Sequence, residues 1–258
     1  MTSRSDARRA TAIAEHDRDD VPLSVRLRTE TSEAHARAEQ STFLADLMHG
    51  RLGLVAWQLL LEQLGAVYGA LETTAGRIRE NDPSNALLSV ELNRAEAIRD
   101  DLAALRGRTG FAGVGLLPSA RDYAERILSH ERRIPRYLAH HYTRYLGDLS
   151  GGQAIRVHLD RQYGLPREQA AFFRFEGIRR APVFKDAYRS ALDALPLSPA
   201  DADAAVEEAG IAFDCNLELF DECGQVFASL APRIRASGAA DAGGGPLSSA
   251  VARVRAAA

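Results

Sequence analysis

A chain of 258 residues, 46% hydrophobic and 26% charged, is long enough to bury one sizeable core, and nothing in its composition marks a second domain. Its formal charge of -3 is spread over both signs, which excludes the global basic field of a nucleic-acid binder and leaves any anionic ligand to a local basic cluster. The apolar stretches fall far short of the roughly 18 residues of a membrane span, so the expectation is a soluble, cytoplasmic protein with no membrane partner.

Residues 1–20 mix acids and bases without an apolar run of the secretory kind and read as a disordered tail. Helical periodicity then dominates, with no alternating strand pattern, so the expected fold class is all-α, a single domain over residues 21–231. A first helix is expected over residues 21–40, with Asp20 as a cap, Pro22 near the first helical position, and Leu23, Leu27, Ala34 and Ala38 on one apolar stripe. A short helix over 42–49 stops at Gly50, and a strongly apolar core helix over 54–80 ends at Asn81-Asp82-Pro83. Shorter helices over 89–105 and 119–132 are separated by a Gly-rich loop, 106–118. A long helix over 135–163 follows, then two more over 181–194 and 199–230; from Pro232 the small residues read as a second disordered tail. Cys215 and Cys223, eight apart in one helix, suit neither a CxxC metal site nor a disulfide framework and read as semi-buried thiols.

Three segments break the ordinary pattern. Gly147, Gly151 and Gly152 interrupt the long helix, where each glycine costs about 1 kcal/mol relative to alanine. Such a helix gains from absent side chains through a kink, close approach of another helix, or a flat ligand against its backbone, and Gly147 and Gly151 share a face. In the first helix Arg28, Thr31, His35 and Glu39 fall along one side, and Glu39 is placed to orient a ligating His35 directly or through a water; the same spacing also serves a solvated pair. Lys185, the only lysine of the chain, and Arg189 sit one turn apart, as an anion clamp or a solvated basic face would. The other histidines sit in the tail, near helix ends or on the glycine-bearing helix, and no HExxH cluster is present, so one open-sided ligand suits the chain better than a closed metal site.

Together these segments resemble the biliverdin-forming haem oxygenases, most closely the bacterial members of iron acquisition. The resemblance covers nearly all of residues 22–230. It rests on residues 31–39 (TSEAHARAE), Ser41 to Leu47, Leu92-Asn93-Arg94-Ala95-Glu96, the block His140 to Gln153, Phe173 to Ile178 and Phe184 to Arg189. It implies haem b, as substrate and cofactor, between a proximal helix carrying His35 as iron ligand and a distal helix whose Gly147 and Gly151 touch the ring. By motif position Tyr142, Lys185 and Arg189 bind the propionates, and Arg28 stands where many relatives have lysine, which keeps the charge but replaces a point donor by a planar fork. Tyr68, Arg144, Asp148 and Asn216 match the family's distal water network, and Phe213 its pocket lining.

The implied activity is haem opening at the α-meso carbon with O2 and delivered electrons, giving biliverdin IXα, Fe2+ and CO. No nicotinamide or flavin fingerprint occurs, so electrons are expected from a ferredoxin or a flavoprotein reductase. A haem carrier would need His35 and the basic cluster but not Asp148 with its neighbours. A helical thiamin-degrading enzyme would need an activated cysteine.

Overall fold

The computed structural model describes residues 21–81, 87–166 and 169–236, so both expected tails, apart from residues 232–236, lie outside the described residues. These residues form nine α-helices: α1 (Leu23–Glu30), α2 (Ser32–Glu39), α3 (Thr42–Met48), α4 (Leu54–Asn81), α5 (Ala95–Thr109), α6 (Pro118–Leu128), α7 (Ile134–Tyr163), α8 (Ala181–Asp193) and α9 (Pro199–Ala236). Two 3-10 turns, Val90–Leu92 and Ala171–Phe173, complete the order, and no strand occurs among the described residues. The all-α expectation therefore holds.

The core is built around α4, which is apolar on nearly every side and buries Trp57, Leu59, Leu60, Leu61, Leu64, Val67, Tyr68 and Leu71. Helices α5, α6, α7 and α9 all pack against it. By length and composition α4 could cross a membrane, contrary to the expectation that no apolar stretch is long enough, but 78% of its most apolar window is buried inside the fold. An all-round apolar helix is what the centre of a helical bundle requires. Ends are set by local chemistry: Ser41 Oγ accepts from the Leu44 amide at the start of α3, Pro118 opens α6, and Gly110 and Gly164 close α5 and α7 at φ of 65° and 55°.

The single expected helix over residues 21–40 is two helices, broken at Thr31, where φ and ψ are -103° and 7°. Thr31 turns into the core and its hydroxyl donates to the Leu27 carbonyl, while Arg28, His35 and Glu39 stay exposed, so these four do not form one face. Pro22 caps α1 from outside rather than opening it. Residues 106–109 continue α5 rather than starting the loop, α6 stops at Leu128, and residues 90–92 form a separate 3-10 turn. Helix α9 runs past Pro232 to Ala236, so the fold extends beyond the expected boundary at residue 231; proline removes one backbone donor near the helix end without stopping it.

Two contacts seat α1. Ser24 donates from its amide (2.7 Å) and hydroxyl (2.8 Å) to the Asp193 carboxylate at the end of α8, and buried Arg26 donates to Asp203 of α9 at 2.6 Å. They hold the helix carrying Arg28 against the helix carrying Lys185 and Arg189.

Candidate active site

His35 projects from α2 with its side chain 53% exposed, and its ring meets the edge of Phe213 of α9 at a centroid distance of 5.3 Å. Its Nδ1 lies 3.7 Å from Glu39 Oε2, within ion-pair range but longer than a hydrogen bond. An accessible imidazole steered by an aromatic edge and followed by a carboxylate one turn on can accept an iron at its free nitrogen.

On α7 Gly147 and Gly151 are exposed, and a Cβ built on either would meet no atom within 4 Å. Close packing of another helix is thereby ruled out as the reason for these two glycines. Gly152 is different: its Cβ would stand 3.0 Å from the Phe173 ring, so this glycine admits the 3-10 turn. One face of α7 is thus bare backbone open to a flat ligand, and the next is tightly packed.

The basic groups gather at one edge of that bare face. Lys185 donates to the hydroxyl of Ser150, which lies between the two open glycines, at 3.0 Å. Arg189 pairs with Asp186 at 3.0 Å. Burial pushes the Tyr142 phenol up, while Arg189 and Arg28 close by pull it down. Arg189 of α8 and Arg28 of α1 therefore both lie within electrostatic reach of Tyr142 of α7, although 47 residues or more separate any two of them along the chain.

Behind the glycine face is a buried polar network joining the four residues expected on the distal side. Tyr68 of α4 donates to Asp148 Oδ2. Arg144 donates to the Tyr68 oxygen at 2.9 Å and to Asn216 Oδ1 of α9 at 2.6 Å. Burial raises the Asp148 pKa above the usual carboxylate value, opposed by Arg144, by the Tyr68 hydrogen bond and by Arg94. Burial also works against the Arg144 charge, but Tyr68 and Asp148 outweigh it, and the guanidinium stays charged. The phenol of Tyr68 is raised well above its ordinary value, so it remains a donor. An arginine-fed donor held on a carboxylate of elevated pKa can order water and pass a proton. Helix α9 ties the two sides together: Phe213 touches His35, and Asn216, three residues on and hence on a neighbouring face position, holds Arg144.

The family model described as heme oxygenase matches residues 21–222 of this chain. The chain belongs to the heme oxygenase family. A heme oxygenase from Guillardia theta is 36% identical over 202 residues, covering 78% of this chain and 85% of that protein, and heme oxygenase 1 of Homo sapiens is 35% identical over 204 residues, covering 78% and 71%. Among solved structures, heme oxygenase-1 of Synechocystis sp. PCC6803 in complex with heme has a TM-score of 0.74 at 29% identity, covering 84% of this chain and 99% of that one. The heme oxygenase of Leptospira interrogans has a TM-score of 0.71 at 32% identity, covering 78% and 100%. As a member of this family the chain is an enzyme, a haem-degrading oxidoreductase.

Other parts of this heme oxygenase fold carry features that sequence reasoning missed. Tyr123 of α6 extends the distal network, accepting from Asn216 Nδ2 at 3.5 Å. Arg94 is buried over the Phe175 ring at 4.0 Å and donates to the carbonyls of Leu92, Phe172 and Arg174. It thereby fixes the 3-10 turn whose Phe172 packs edge-on against Tyr68 at 5.2 Å. Its only sequence signal was its place in the Leu92 to Glu96 segment. A second buried cluster joins Glu208 to Arg126, Arg136 and His140, with His130 Nε2 at 3.0 Å from the same carboxylate but outside hydrogen-bond geometry. Its His130, His140 and Glu208 donor atoms lie within 4.8 Å of one another, a spacing that metal ligands share. Two guanidiniums already compensate the single carboxylate there, and both imidazoles are held neutral by burial, so a divalent cation would add uncompensated charge to the core. The cysteine thiols are pushed up to about 11 (Cys215) and about 12 (Cys223) by burial, which leaves no activated nucleophile for a thiamin-degrading chemistry.

Proposed function

We propose that this chain holds haem between α2 and α7, with His35 as the iron ligand, and opens the ring at the α-meso carbon to biliverdin IXα, Fe2+ and CO. The observation that carries this reading is the bare Gly147/Gly151 backbone with Asp148 on the same helix, locked into the Tyr68–Arg144–Asn216 network and linked through α9 to His35. The residues fit the group: an exposed imidazole, a cradle that a Cβ would fill, and cations at one edge for two carboxylates.

Bound haem supplies the iron that takes O2 and the carbon that is oxidised. His35 is a neutral ligand that lends less electron density than a thiolate, which leaves the direction of the chemistry to the distal side. Gly147 and Gly151 would present bare backbone to the haem and leave space on that side for ordered water. Asp148 orients that water and relays protons, with Tyr68, Arg144 and Asn216 fixing its carboxylate. Arg28, Tyr142, Lys185 and Arg189 orient the substrate in its own plane through the propionates, and so select the carbon attacked. The electrons come from a separate protein, a ferredoxin or flavoprotein reductase, and release of iron from haem is the physiological purpose.

The test is incubation of the haem complex with reductant and O2, with the product read by absorbance and chromatography. The protein is expected to take up one haem with a histidine-type Soret band and to yield biliverdin, and His35→Ala to lose both unless imidazole is added. A variant with parent-like spectrum and turnover would overturn the ligand assignment. A parent that binds haem but makes no biliverdin would be a carrier.

A further inference from the structure

On the side of α7 turned away from the open glycines lies a second cavity, of about 490 Å3, between α7, the segment after the second 3-10 turn and the start of α8. Leu149 and Arg156 on its α7 wall are seven residues apart, two turns along one face, and Leu149 is two residues from both Gly147 and Gly151, hence on roughly the opposite side of the helix. The cavity is therefore separate from the groove assigned to haem. Its volume lies within the roughly 300–1,000 Å3 of small-molecule sites.

The lining divides by chemistry. Leu149, Phe173, Phe175 and Ile178 form an apolar floor, and Arg174 and Arg179 stand on the wall beside Glu176, the one carboxylate of the lining. Glu176 stands 3.7 Å from Arg174, and neither side chain is spent on another ion pair among the described residues. The Arg174 side chain is 28% exposed, and its Nε is buried with no hydrogen-bond partner, so the protein itself does not saturate this guanidinium. The floor is rigid: Phe173 stacks on Trp57 at 5.5 Å and abuts Gly152, and Phe175 lies beneath the Arg94 guanidinium at 4.0 Å.

We propose that this cavity is a second binding site, for an amphiphilic carboxylate whose apolar body rests on Leu149, Phe173 and Ile178 and whose anionic group is taken by Arg174 and Arg179. Long-chain fatty acids and linear tetrapyrroles share that chemistry. Arginine forks accept a carboxylate in bidentate fashion, and an apolar floor below them excludes small hydrophilic anions by offering them nothing to bury. The site stands independently of the haem-cleaving reading, because it requires no haem.

The test is calorimetric titration of the haem-loaded protein, whose groove is then filled, with laurate in one arm, biliverdin in the second and acetate in the third. One-to-one binding of laurate or biliverdin, but not acetate, is expected, and the arm that binds more tightly identifies the source. Arg174→Ala with Arg179→Ala should weaken binding by about tenfold or more, and so should Ile178→Asp alone, which keeps both arginines. In the haem-free protein, ligand should perturb the fluorescence of Trp57, the only tryptophan, through its stack on Phe173. Failure of both amphiphiles to bind the parent at millimolar concentration would overturn the proposal, as would equal affinity in the double arginine variant. So would a result in which these arginines affect only the docking of an acidic redox protein.

Discussion

At the scale of single residues, the proposed chemistry turns on Asp148. Its carboxylate is held by Tyr68 and faced by Arg144, and burial raises its pKa, so it is poised to exchange protons without serving as a ligand. Asp148→Ala should leave haem uptake and the His35-type spectrum nearly unchanged, lower biliverdin yield by about 100-fold or more, and divert added peroxide into guaiacol oxidation, measured side by side with the parent. Parent-like biliverdin formation would sink the role given to this carboxylate. On the proposed reading, Lys185 and Arg189 act on selectivity rather than rate. With Lys185 and Arg189 both changed to alanine, haem loses its cationic edge and should rotate in plane, giving a mixture of biliverdin isomers by chromatography. A product still wholly α would mean that steric contacts choose the carbon. The residue types of this site were readable in the sequence through motif position, and the structure brings Tyr68, Arg144, Asp148 and Asn216 together. Tyr123 and Arg94 were not readable as site residues, because a buried tyrosine and a carbonyl-bound arginine look in sequence like any core aromatic and any surface cation.

At the scale of elements, α7 is built with a stability cost on one face. Gly147→Ala and Gly151→Ala add a Cβ into open space, so each should stabilise the haem-free protein by about 0.5–1 kcal/mol, a Tm rise of about 1–4 °C, while weakening haem uptake. Gly152→Ala should act in the opposite direction on stability, because its Cβ would press the Phe173 ring at 3.0 Å. Thermal melts with haem titrations decide this; a fall in Tm for Gly147→Ala would show that the face is occupied by the protein itself. Helix existence and order were legible from periodicity, since amphipathic stripes are local. The break at Thr31 was not, because residues on both sides keep helical periodicity and the break depends on Thr31 turning inward to bond the Leu27 carbonyl.

At the scale of the whole molecule, the core stores neutral histidines. His141 is buried among Tyr137, Tyr145 and Tyr188, with Nδ1 2.8 Å from the Tyr188 hydroxyl, and burial, helped by Arg79, lowers its pKa to about 3. Its ordinary value of 6.5 applies in the unfolded chain, so the folded pKa is depressed: the stability linked to it is complete above pH 6.5 and is lost as pH falls toward 3. His130 and His140 are lowered too, and the Glu208 carboxylate is held far below its ordinary value by His140, Arg126 and Arg136 despite its burial, so all four groups tilt stability the same way. The Tm should therefore fall on acidification from pH 7 to 4, and His141→Gln should flatten that slope, even with a lower Tm at pH 7; an unchanged slope would remove His141 from the account. By itself the sequence determined what is local: the helical class, the helix order, the glycine interruptions and the residue types in family order. Only the tertiary structure decided which histidines are exposed and which are buried, and which glycine is open. His35, His140 and His141 are the same side chain, and Gly147, Gly151 and Gly152 the same absence of one. Exposure, pKa and free space are properties of what other helices place nearby, and those neighbours come from segments far away along the chain.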